Sequence, residues 1–177
     1  MFTQYNQLTK MIITMKRMYL FFMLLAAGWW SNMAAEDYLM PQYGHETKVV
    51  SKNAPLTFYD FKGASTHFTQ SAFSTVIFQP ATEGYSIKIT FEELNLTKYS
   101  DSWNVYMRIY NGQFDVTSIS YPTSGNPTGS FVENANQISY IPGDGAVNPL
   151  PTYISGAADG CLSVCLYSKD PSPKESY

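Results

Sequence analysis

Tyr99, Trp103, Tyr106 and Tyr110 lie close together in the chain and are its best candidates for recognition chemistry. Aromatics exposed on the face or rim of a sheet can stack on a sugar or anchor a protein partner. The bland alternative is that Tyr106 and Tyr110 only cover a sheet with their hydroxyls toward water. Other reactive side chains are poorly arranged for catalysis. Glu92 and Glu93 are adjacent, and neighbouring strand residues point to opposite faces. A glycosidase pair must instead face each other across a cleft, so these two read as a solvated bulge. His45 and His67 stand in no metal-ligand spacing. There is no G-x-S-x-G elbow and no phosphate loop. No nucleophile, base and orienting group can be assembled, which argues against an enzyme. Cys161 and Cys165 would lie ~13 Å apart in a strand, beyond the ~7 Å reach of a disulfide. They are expected to be free thiols acting as small apolar side chains.

The elements that must carry these residues read as strands. Leu56–Phe61 ends at Lys62-Gly63, and Ser74–Phe78 stops at Gln79-Pro80. In Tyr85–Phe91 the residues Tyr85, Ile87, Ile89 and Phe91 share one face. The apolar phase then slips to Leu94 and Leu96, which predicts a bulge or bend at Glu92-Glu93. Val105, Met107 and Ile109 are expected to face inward, with Tyr106, Arg108 and Tyr110 outward. Asn111-Gly112 is a turn signal. Residues 115–149 are rich in Ser, Gly, Asn and Pro around one strand, Gln137–Ile141, so long loops are expected at one end of the fold. Thr152–Ile154 and Cys161–Tyr167 complete the set, and no long amphipathic helix is legible.

Aromatics make up 16% of the 177 residues and charged residues only 14%, a bias toward half-buried pleated surface. The net charge of −3, with scattered Lys and Arg, gives no field for a phosphate backbone, so no nucleic-acid partner is expected. Lys16-Arg17 precede the apolar run from Met18 to Trp30, with Ala34 and Ala35 at its exit. That is the pattern of a signal peptide over residues 1–35, with Met15 an alternative start. The run is shorter than the ~20 residues that span a bilayer, so no permanent span is expected after cleavage. A secreted, cell-surface or periplasmic location follows. Residues 36–55 read as a linker or mature N-terminus, leaving about 140 residues after the leader, enough for one core.

Four stretches in order resemble the CUB domain in its disulfide-free bacterial form. They are Thr57-Phe58-Tyr59-Asp60-Phe61-Lys62-Gly63, Ile87 through Leu96, Tyr106 through Gly112, and Asp159 through Lys169. The resemblance implies an all-β, antiparallel jelly-roll β-sandwich over residues 56–177 and a role in binding rather than catalysis. It also implies a closing strand that should begin where this chain reaches Ser176-Tyr177. Such a truncation would leave an unpaired gap in one sheet, a template for strand-mediated self-association. Many CUB domains hold calcium, but Thr97, Val105 and Lys169 occupy the ligand positions. Only Asp101 and Asp170 could be recruited, so no calcium or other cofactor is expected. The expected function is a non-catalytic extracellular binding or adhesion module, the N-terminal part of a larger exported protein, recognising a protein or glycan. The alternative is a carbohydrate-binding appendage of a secreted glycosidase or protease, which would need an exposed platform of aromatics.

Overall fold

Two segments set the architecture, because neither of their faces can meet water. Ala72–Pro80 (β4) and Leu162–Lys169 (β9) are runs of apolar and small residues, buried along nearly their whole length. Strands of that composition belong in the middle of a sheet covered on both sides. The computed structural model describes residues 35–61, 70–96 and 101–169. In it β4 and β9 pair antiparallel, with Val76 opposite Val164. Asn104–Asn111 (β6) lies on the other side of β9, and Gln137–Pro142 (β7) lies beyond β6. Tyr43–Val50 (β2) closes the opposite edge beside β4, giving the order β2-β4-β9-β6-β7.

Two smaller sheets pack against one face of this layer. Glu36–Leu39 (β1) pairs with Leu56–Tyr59 (β3), and Lys88–Thr90 (β5) pairs with Thr152–Ile154 (β8). Val76, Phe78, Met107, Val164 and Leu166 from the large sheet form one core with Tyr38, Met40, Ile89, Phe91 and Leu96. The margins of the two layers are tied together. At one side Lys48 of β2 pairs with Glu36 of β1 at 2.7 Å, and the Tyr38 hydroxyl donates to Glu46 at 3.1 Å. At the other side Ser139 of β7 and Tyr153 of β8 are joined by a 2.7 Å hydroxyl hydrogen bond.

Several expectations hold and several need correcting. The phase slip is present: Ile87, Ile89 and Phe91 are buried, Glu92 and Glu93 are exposed at a bend, and Leu94 and Leu96 are buried again. Tyr85 departs from that face and is exposed. The all-β class is correct, but the sheets are mixed rather than antiparallel, since β1–β3 and β2–β4 pair parallel. The cause is topological: the chain alternates between layers, so neighbours within a layer are strands two apart that run the same way. The stretch expected to be a linker, residues 36–55, supplies both β1 and β2. Its β2 is an edge strand with His45, Glu46 and Thr47 in water, so it lacks the apolar alternation that marks a strand.

The largest correction concerns the second face of the large sheet. The chain from 112 to 136 does not hang at one end. It lies across that face and forms a second core of Phe73, Tyr106, Tyr110, Cys165 and Tyr167 beneath Phe114 and Phe131. Phe73 stacks on Phe131 at 4.3 Å, and Tyr106 on Tyr167 at 4.6 Å. Asp115 caps the one short 3-10 turn in this layer, Val116–Ser118, by accepting from the Thr117 N–H at 3.0 Å.

Cys161 and Cys165 are both buried free thiols. Cys165 lies 3.2 Å from Thr75 Oγ1, which accepts from the Tyr121 hydroxyl at 2.8 Å. Burial pushes the Cys165 thiol up to about 12, and does the same to the Tyr106 and Tyr121 phenols. In the unfolded chain these groups ionise near 9 and 10. Between those values and about 12 the unfolded state therefore holds fewer protons, and stability must fall as pH rises. The urea midpoint should decline steadily above pH ~9, and iodoacetamide should label Cys165 at pH ~8 only after unfolding. A midpoint that stays level through that window, or rapid native labelling of Cys165, would contradict the burial described here.

Candidate functional site

The aromatic candidates are not on the surface. Trp103 is buried just before β6, and Tyr106 and Tyr110 lie inside the second core at 5% and 1% exposure. Their hydroxyls bond main-chain groups of the covering layer: Tyr106 accepts from the Phe131 N–H at 3.1 Å, and Tyr110 donates to the Val132 carbonyl at 2.9 Å. Both phenols anchor the 112–136 layer to the sheet, so the outward face expected for them is a second interior. Arg108, between them in sequence, lies over the rings of Tyr106 and Tyr140 and bonds Gln137. Tyr99 and Asp170 fall outside the described residues, as does His67. Asp101 is exposed in a turn ahead of β6, and among the described residues no three His, Cys, Asp or Glu side chains gather as a metal site.

What the strands do build is a groove of about 870 Å³ between the two small sheets. Leu56, Thr57 and Phe58 of β3 form one wall, and the run from Ser86 to Glu93 forms the other. Met40, Phe78 and Met107 line its base, and Phe58 meets Phe78 at 5.0 Å and Phe91 at 5.9 Å. The volume is in the range of ligand-binding clefts, with an apolar base and a polar rim.

The walls run in the same direction. Lys52, just before β3, donates to the Tyr85 hydroxyl at 3.3 Å and sits over that ring. Further along, Phe58 reaches Phe91. One end of the groove therefore carries the ammonium groups of Lys52 and Lys88. The other carries the carboxylates of Asp60, Glu92 and Glu93.

Each wall also presents main-chain hydrogen-bonding groups. Ile87 accepts from the Ser155 N–H at 2.9 Å, and the Phe91 N–H donates to Pro151 at 3.4 Å. Main-chain groups alternate sides along an antiparallel strand, so those of Lys88 and Thr90 point away from β8 and into the groove. Pro55 and Tyr59 accept from the N–H groups of Glu36 in β1 and of Met40 just after it, at 3.3 and 3.0 Å. The groups of Leu56 and Phe58 therefore point away from β1, again toward the groove. Neither β3 nor β5 has a strand partner on that side among the described residues.

Both walls are legible in the sequence as strands, yet the opening between them depends on which edges meet in space, and no local pattern encodes that. No family model, curated protein or solved structure matches this chain.

Proposed function

We propose that the chain is an exported, non-catalytic binding module of the CUB-like jelly-roll kind, which engages a protein partner outside the cell through the groove between β3 and β5. The groove itself carries the reading: it joins an apolar base to a rim charged oppositely at its two ends. Support also comes from the leader-like pattern of residues 1–35 and from the layered all-β architecture. A carbohydrate platform is less well supported, because Trp103, Tyr106 and Tyr110 are buried.

Random peptide display and a glycan array, each probed with the native chain and with Leu56→Arg, test the reading. Leu56 is half-buried at the groove wall, so the arginine can extend along the opening. Peptide ligands should be selected by the native chain and weakened about tenfold or more by the variant, equivalent to ~1.4 kcal/mol. Ligands retained equally by both proteins would refute the groove as the binding surface.

A further inference from the structure

Among the described residues the two layers differ by one strand. There the large sheet has five strands, and the layer facing it has four, grouped as β1-β3 and β5-β8. The margins are already closed, β1 against β2 by Lys48–Glu36 and β8 against β7 by Ser139–Tyr153. The shortfall therefore lies in the middle of the layer, and the groove is what occupies that place. Both of its walls are strand edges: Leu56 and Phe58 on one side, Lys88 and Thr90 on the other. Open edges of this kind accept an added strand through main-chain hydrogen bonds, with side chains read at alternate positions.

We infer that the groove is an acceptor site for one extended segment of a partner polypeptide, which completes β1-β3-X-β5-β8 as a five-stranded sheet. The inference rests on the binding-module reading above and names its partner class. Because β3 and β5 run the same way, one strand can lie antiparallel to both, the more common pairing in sheets. Its N-terminal end then meets Asp60, Glu92 and Glu93, and its C-terminal end meets Lys52 and Lys88. The complementary segment thus has a basic residue at its start, an acidic residue or free carboxylate at its end, and apolar residues at every second position. Those apolar side chains would descend onto Met40, Phe78 and Met107. An added strand gives each groove-facing main-chain group of Leu56, Phe58, Lys88 and Thr90 a counterpart, which a sugar stacked on Tyr85 would not.

The probe is a fluorescein-labelled peptide, Lys-Val-Thr-Val-Thr-Val-Glu, titrated into the full chain, with hydrogen exchange read on the same complex. Binding should slow exchange at Leu56, Phe58, Lys88 and Thr90. The charge-reversed peptide, Glu-Val-Thr-Val-Thr-Val-Lys, should bind about tenfold more weakly. So should a peptide N-methylated at alternate residues, which keeps every side chain but loses one row of donors. Thr90→Pro removes a groove-facing donor without breaking a bond to β8, and should weaken binding about tenfold with an unchanged melting temperature. A chain bearing Lys52→Glu, Lys88→Glu, Glu92→Lys and Glu93→Lys should prefer the reversed peptide, a gain that misfolding cannot imitate. Absence of binding at ~1 mM, equal binding of the N-methylated peptide, or protection elsewhere on the surface would overturn strand acceptance. A dimer dissolved by the peptide would reassign the groove to a second copy. Glycan binding blocked by Leu56→Arg would sink the strand proposal while leaving a binding module in place. Retention of all ligands by every groove variant would remove both.

Discussion

Gly160→Ala should cost about 3 kcal/mol or more, one of the largest effects of any single methyl group in this chain. Gly160 has φ +67°, a left-handed conformation that costs a residue with a Cβ about 1–2 kcal/mol. An added Cβ would also stand 2.0 Å from the Tyr85 carbonyl oxygen, a backbone atom that cannot swing aside. Relief requires the chain at Tyr85–Ile87 to back away. That movement breaks the 2.8 Å bond from the Ile87 N–H to the Gly160 carbonyl and loosens the start of the β5 wall. Gly125→Ala is the matched control, since it has φ +73° but open space around the added carbon. It should lose only about 1 kcal/mol. Urea unfolding of both variants gives the comparison, and equal losses would show that the close approach to Tyr85 is not real.

Phe73→Ala should destabilise the protein by ~3–5 kcal/mol and lower its melting midpoint by roughly 10 °C. Phe73 is fully buried and touches the rings of Phe131, Tyr121 and Tyr167 at 4.3, 5.4 and 5.8 Å. It is the point where β4 grips the layer laid across it. Its counterpart Phe131→Ala leaves the sheet intact and removes the grip from the other side. That variant should show protease cleavage within 112–136 before global unfolding, because the layer contains only a short 3-10 turn of regular structure. Cleavage that waits for global unfolding in both variants would mean the layer and the sheet form one cooperative unit.

Legibility in the sequence followed the strength of local patterning. The change of phase between Phe91 and Leu94 was readable because a buried face forces period two, and a bend is the simplest way to shift it. Gln137–Ile141 and Cys161–Tyr167 were readable for the same reason. By contrast β2, with Gly-His-Glu-Thr-Lys at its heart, is polar because an edge strand is wet, and polarity is also what a linker looks like. Tyr106 and Tyr110 were misplaced because alternation says only that they oppose Met107 and Ile109. It does not say that the opposite face is also covered, which depends on Phe114 and Phe131 arriving from elsewhere in the chain. The groove was hidden for a related reason. Leu56 and Phe58 look like any strand residues, and the openness of their edge depends on which described strands lie beside them.

The central pairing of the large sheet joins Ala72 to Ser168 and Phe78 to Leu162, residues from distant parts of the chain. Among the described strands, β9 alone links β4 to β6. A growing chain consequently cannot assemble either interior until its last described strand has been synthesised, and closing so long a loop is entropically slow. Until β9 arrives, the β2–β4 and β6–β7 pairs have no strand to join them, and their apolar faces are exposed to association with other chains. Both interiors thus share one gatekeeper, since Leu162, Val164 and Leu166 complete one and Cys165 and Tyr167 the other.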